Sequence, residues 1–270
     1  MPLAPSRLVT WPSRYAVYFD GIDDYVVITP FTVYGWSGIT IQEWIYLFHP
    51  KANSSFSQFS MIGDTWTDFP SMRLVTDNRF DYTSLDARFD TRTSGGAKRV
   101  YSFSFYAYRN IWVNIARRFY LSDRVFAFFI NAGKVGSATI PLDEKTILEW
   151  NPDTATYPIY YKRFVLGANT MLNEWMKLMQ FQLLIYSRAL SDSEIAWNYN
   201  NPFNPVRDGL RVCLIADPQY IKDIDGDGRL EWIDLSGYNN HGKIYGAKLV
   251  DLYKSPVRAL SSVRTMLVAR

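Results

Sequence analysis

The strongest local motif in this 270-residue chain is the twelve-residue run Asp223-Ile224-Asp225-Gly226-Asp227-Gly228-Arg229-Leu230-Glu231-Trp232-Ile233-Asp234. Carboxylates stand at its positions 1, 3, 5, 9 and 12, and Gly228 at position 6 permits a sharp turn. That spacing can wrap Ca²⁺, which takes about six to eight oxygens at about 2.3–2.6 Å. Asp223, Asp225, Asp227, Glu231 and Asp234 would offer carboxylates, and the Arg229 carbonyl would fill position 7. The competing reading is an acidic turn with no metal, because the flanks lack a helical pattern.

Other chemistries lack their parts. Cys213 is the single cysteine, so internal disulfides and Cys-based zinc sites are excluded. It lies in Arg211-Val212-Cys213-Leu214-Ile215 and reads as a small buried hydrophobe. His49 and His241 are the only histidines, too few for a metal–His cluster and unpromising for a triad. Glu43 sits among apolar neighbours, where the expected role is a buried carboxylate paired with an arginine; the alternative is a ligand contact on a concave face. Trp36, Trp66 and Asp68 are candidate ligand-binding residues, with Trp11 as a further stacking residue and Asp64 and Asp77 as further polar partners. Aromatic side chains in so rich a composition also serve as core or interface.

The elements that must position these groups read as strands. Aromatics reach 17% of the chain and apolar residues 48%, a balance that favours pleated, half-buried surfaces and supplies a packed core. Tyr15–Asp20 and Tyr25–Ile28 flank Gly21-Ile22-Asp23-Asp24, a hairpin signal. Ile39–Phe48 is apolar on both faces and reads as a central strand. Further strands are expected at Arg99–Tyr108, Ile111–Phe119, Arg124–Ile130, Phe164–Leu166, Met179–Tyr186 and Leu210–Ala216. Ser191-Asp192-Ser193-Glu194 is a capping box, with Leu190 and Ile195 placed for a hydrophobic staple and Pro202 and Pro205 beyond, so one short helix is expected. Asn53–Asp68 and Asp143–Pro158 read as long loops.

Several of these segments, taken in order, resemble the laminin-G-like branch of the concanavalin A-like lectin/glucanase superfamily. Tyr18-Phe19-Asp20-Gly21-Ile22-Asp23-Asp24-Tyr25-Val26 is similar to the opening FDG-x-DDYV hairpin of those domains. Ile39–Ile45 resembles their T-I-x-x-W-V strand, and Trp112-Val113 with Phe128–Lys134 their W-x-x-V and Y-V-N-G-K section. Phe164-Val165-Leu166-Gly167 and Ile185–Ser191 resemble the strand before L-G and the closing V-Y-N-R-A-L-S. Asp234-Leu235-Ser236-Gly237-Tyr238-Asn239-Asn240-His241-Gly242-Lys243-Ile244-Tyr245-Gly246-Ala247 resembles the D-L-S-G-N-G-N-H-G-T-I-Y-G-A segment that normally precedes the FDG hairpin, yet here it comes last. Either the jelly roll is circularly permuted or a partial second unit begins after Arg207. Permutation is the reading taken, because about 60 residues are few for an independent sandwich. The Asp223 loop in turn resembles the dockerin variant of the EF-hand loop.

The resemblance implies an all-β fold, a two-sheet antiparallel jelly-roll sandwich with one short helix. Residues 1–250 would form it, with 209–250 supplying permuted strands, and 251–270 would be a basic C-terminal arm. It also implies a binding module for glycans or surface proteins. The E-x-D-x-x-E strand of the glucanase branch has no counterpart, since Glu144 and Glu149 lie in a loop region, so no enzyme is expected. The expectation is a non-catalytic structural or surface component of a virion or extracellular assembly, contacting copies of itself or other subunits. A glycoside hydrolase of the same superfamily and a cell-surface adhesion module are the alternatives.

Charge argues against a general nucleic-acid binder. The formal surplus is +3, and residues 251–270 carry all of it through Lys254, Arg258, Arg264 and Arg270 against Asp251. Leu260, Val263, Met266 and Leu267 are spaced as on a helix, so the arm is expected to pack on a neighbour. Residues 1–7 lack the apolar core of a secretory signal, and no run of apolar residues is long enough to span a membrane.

Overall fold

Period-2 alternation of aromatic and β-branched residues builds two antiparallel sheets that share one core. The computed structural model describes residues 13–28, 31–48, 55–60, 71–77, 84–93, 98–104, 108, 110–149, 163–169, 172 and 174–254. Among these, the first sheet holds β1 (Tyr15–Asp20), β3 (Gly38–Leu47), β8 (Trp112–Tyr120), β9 (Val125–Ile130), β10 (Gly133–Thr139), β12 (Lys177–Tyr186), β13 (Leu210–Ile215) and β17 (Lys248–Asp251). Its order is β10-β9-β8-β3-β12-β1-β17, with β13 also on β12. The second holds β2 (Tyr25–Ile28), β4 (Ser55–Ser60), β5 (Ser71–Asp77), β6 (Ser84–Arg92), β7 (Lys98–Ser104), β11 (Arg163–Leu166), β14 (Ile221–Lys222), β15 (Glu231–Trp232) and β16 (Gly242–Tyr245). Its order is β14-β15-β16-β2-β11-β4-β5-β6-β7. The fold is an all-β sandwich, with one α-helix among the described residues, as the sequence predicts.

All ten residues of β3 are buried, which follows from its apolar character on both faces. Phe119 of β8 stacks on Phe89 of β6, with ring centres 4.7 Å apart, and so marks the face turned to the second sheet. The other face of β3 receives α1 (Asp192–Asn200): Trp44 stacks on Tyr199 at 5.3 Å, and the buried Asn198 amide donates to Gln42 Oε1 at 3.0 Å.

The capping box of α1 forms as its sequence specifies. Ser191 Oγ accepts from the Glu194 N–H, and the Glu194 carboxylate accepts from the Ser191 N–H. Arg188 adds a two-pronged contact, and its hydrogen bonds hold the Glu194 carboxyl down at about 2, against an ordinary 4.5. The folded value lies below the unfolded one, so this stabilisation is complete above about pH 4.5 and fades as pH falls toward about 2. Glu194→Gln is expected to flatten that part of the stability–pH profile, measured by urea unfolding at each pH.

The C-terminal segment closes both sheets within the same chain. β1 pairs with Lys177–Gln180 of β12 and β13 with Gln182–Tyr186, so the two strands lie end to end along one edge. β16 pairs with β2 and β17 with β1. The Leu252 N–H donates to the Arg14 carbonyl, and Arg14 forms an ion pair with Asp251 at 2.8 Å. The expected packing of the arm involves residues 260–267, which lie outside the described residues.

Two sequence expectations are corrected. Gly21–Asp24 is not a hairpin turn, because β1 and β2 belong to opposite sheets; it is a corner where the chain crosses the sandwich. Tyr245-Gly246-Ala247 makes the matching corner between β16 and β17. Residues 55–60, expected within a loop, form β4 between β11 and β5.

Candidate functional site

The two corners meet beside the acidic loop and enclose an open cleft of about 420 Å³, lined by Asp23, Gly228, Arg229, Leu230, Tyr245 and Gly246 among others. Its aromatic residue, Tyr245, is held by register: Tyr25 and Tyr245 are cross-strand partners on β2 and β16, and their rings stack at 4.5 Å and 13°. Both rest on a small apolar cluster of Val27, Val165 and Ala168. The Arg229 guanidinium lies 5.2 Å from the Tyr245 ring centre. Among the described residues neither Arg229 nor Asp23 forms an ion pair. The cleft lining thus includes a cation with five donors, an acceptor-only carboxylate and a phenol.

The structure brings Asp223, Asp225 and Asp227 together, with carboxylate oxygens within 4.8 Å of one another. Backbone amides fold the loop around them: Gly226 and Gly228 donate to Asp223 at 2.8 and 2.9 Å, and Arg229 to Asp227 at 2.9 Å. A cation already faces two of the three. Lys243 Nζ lies 2.9 Å from Asp225 Oδ2 and 2.6 Å from Asp227 Oδ2. Its hydrogen bond holds the Asp225 carboxyl below the usual range, while Asp227 and then Asp225 push the amine up.

The other residues of the predicted calcium set are placed differently. Asp234 is buried and accepts from the backbone amides of Cys213, Ser236 and Asn240 and from Ser236 Oγ. Its oxygens are therefore committed to β13 and the following turn, and His241 Nδ1 accepts from the Asp234 N–H at 3.0 Å. Glu231 lies on β15 opposite Lys222 and Lys243. The three clustered carboxylates suit a hard cation, but Asp234 does not complete the set and Lys243 competes for it. Trp36 packs edge-on against Phe31 at 5.7 Å, beside the core. Trp66 and Asp68 lie outside the described residues.

Buried carboxylates elsewhere are held by arginines. Glu43 is paired with Arg117, both fully buried, and accepts from Gln180 Nε2 at 3.0 Å. Asp90 meets Arg73 at 2.8 Å and accepts from Ser71. Glu144 is bonded by Thr91, Tyr101 and Arg99, the last at 2.6 Å. Glu43 thus takes the ion-paired role expected of it. The cleft itself was not foreseen from the sequence; the available signal was a Tyr on each side of paired corners.

No protein-family model matches the sequence, and no curated protein matches it. Solved structures do. A candidate carbohydrate-binding protein from Bacteroides ovatus superposes with a TM-score of 0.62 at 13% identity, covering 90% of this chain and 62% of that one. This chain therefore spans less than two thirds of that protein. The heptameric SAP-like pentraxin of Limulus polyphemus gives 0.44 at 11% identity over 69% of this chain and 82% of that one. Mouse laminin α1 domains LG4-5 give 0.42 at 11% over 72% and 48%. The first match shows the fold alone, a sandwich of two antiparallel β-sheets. Among the described residues no helix is long and apolar enough to cross a membrane.

Proposed function

We propose that this chain is a non-catalytic, laminin-G-like jelly roll that binds a glycan or a surface protein as a structural or surface component of a virion or extracellular assembly. The observation that supports it best is the corner cleft, where Arg229 and Asp23 face solvent without ion-pair partners among the described residues, and where Tyr245 stacks on Tyr25. Hydroxyl-rich ligands suit such a mixture, because the guanidinium donates, the carboxylate accepts and the phenol does both. The buried Glu43, Asp90 and Glu144 are engaged in ion pairs and do not line that cleft. A glycan array with parallel hydrolysis assays tests the reading: retention of a glycan without turnover is expected. Turnover of a polysaccharide, abolished by one Asp or Glu substitution, would instead favour the glycoside hydrolase.

Calcium at the Asp223 loop enters this proposal as a competition with Lys243. Entry of the ion requires the amine to leave Asp225 and Asp227, and the metal then takes three carboxylates plus water and backbone oxygens. Ligand bound only by the folded state stabilises it by about 2.7 kcal/mol at a hundredfold excess over Kd. Calcium is expected to raise Tm more for the wild type than for Asp225→Ala, and more again for Lys243→Met. Equal rises in all three would remove calcium from this loop.

A further inference from the structure

Trp197 and Phe203 form an exposed aromatic patch at the C-terminal end of α1, being 49% and 59% exposed. The sandwich holds both in place. The Trp197 indole N–H donates to the Asn204 carbonyl at 2.9 Å, which keeps the ring against the turn that carries Phe203. Phe203 packs on the buried Phe181 of β12 with ring centres 5.3 Å apart, and Gln182 Nε2 donates to the Pro202 carbonyl. Apolar surface fixed in water gains free energy when a second apolar surface covers it.

The chain leaves the sandwich close to this patch. Phe181 stands where β1 and β13 meet end to end: the neighbouring Gln180 pairs with Val17, and the Ala216 N–H donates to the Phe181 carbonyl. Three residues before Val17, the Arg14 carbonyl accepts from the Leu252 N–H, and the described residues end at Lys254. Two strand spacings and three strand residues put Leu252 within about 20 Å of Phe181, and the six steps from Lys254 to Leu260 can span about 20 Å. Leu260, Val263 and Leu267 recur at intervals of three and four, with Met266 beside them, as on one side of a helix. Arg264 follows Leu260 by four residues and so shares that side, while the last turn of α1 holds no basic residue. A cation is favourable beside the carbonyl end of a helix.

We propose that residues 258–267 dock on the Trp197–Phe203 patch of their own chain, with Leu260, Val263 and Leu267 on the two rings and Arg264 toward the carbonyl end of α1. The short tether favours this occupant over the neighbouring copy that the sequence of the arm alone suggests, because a partner held on a short linker acts at an effective concentration of about millimolar.

Trypsin cleavage after Arg258 and Arg264, timed in the full chain and in a synthetic peptide of residues 252–270, tests the docking. The full chain is expected to be cut about tenfold or more slowly than the peptide, at a rate independent of protein concentration, because cleavage follows the undocked population. Phe203→Ser should bring the rate up to that of the peptide. So should Leu260→Ser with Leu267→Ser, timed against a peptide with the same changes, which approaches the contact from the other side and leaves the sandwich untouched. Leu142→Ser, at a site 88% exposed elsewhere, should keep the protection. Cleavage of the full chain as fast as the peptide, or protection that survives both Phe203→Ser and the arm variant, would overturn the proposal. Protection that grows with protein concentration would overturn it as well, by placing the arm on a neighbouring copy.

Discussion

Arg117→Met is expected to destabilise the sandwich by about 3–5 kcal/mol, because it strands the Glu43 carboxylate in the core. Both partners are fully buried, and by alternation they share the β3 and β8 face that carries Phe119 onto Phe89 of the second sheet. Glu43→Leu should cost a similar amount by leaving the guanidinium unbalanced. The double variant should recover most of either loss, since an apolar pair of similar volume removes two desolvation penalties together. Urea unfolding of the four proteins gives the coupling directly. Simple additivity of the two single losses would show that Glu43 and Arg117 act independently, contrary to the buried ion pair described.

Trp232→Ala is the second large effect, at about 3–5 kcal/mol. Trp232 is fully buried on the two-residue strand β15, in the same core cluster as Phe19, Leu214 and Ile244. Its loss should therefore lower the cooperative unfolding of the whole sandwich instead of releasing a C-terminal fragment alone. The indole Nε1 has no acceptor among the described residues, so Trp232→Phe should cost less than the lost volume suggests. A separate early transition in calorimetry, with the main one unmoved, would mean that residues 210–251 melt as their own unit.

What was legible in the sequence had a local cause. The burial of β3 follows from apolar residues on both of its faces, and α1 begins where a Ser and a Glu three residues apart satisfy each other's backbone amides. Pairing of strands is a tertiary choice, which is why Gly21–Asp24 reads as a hairpin although its strands join opposite sheets. β5 and β6 are not legible in the sequence because charge breaks their pattern. Arg73, Arg88 and Asp90 stand in them, and the ion pair that makes Asp90 tolerable inside appears only once both strands are side by side. The acidic loop was visible as spacing, but not the lysine that faces it, since Lys243 lies on another strand and reaches the loop only through the fold. Nor was the role of Asp234 visible, for its amide partners come partly from β13.

The most direct test of ligand binding at the corner cleft is the affinity of Arg229→Ala for the glycan that the intact chain retains most strongly on an array. Arg229 is exposed, so the fold should be unchanged, and the exposed Lys134→Ala on β10 is the matched control for loss of one charge. Binding in the cleft predicts a loss of about tenfold or more for Arg229→Ala, as expected for an arginine at the centre of a contact, and none for Lys134→Ala. Equal affinity of Arg229→Ala and the unaltered chain would contradict the account and place the binding surface elsewhere on the sandwich.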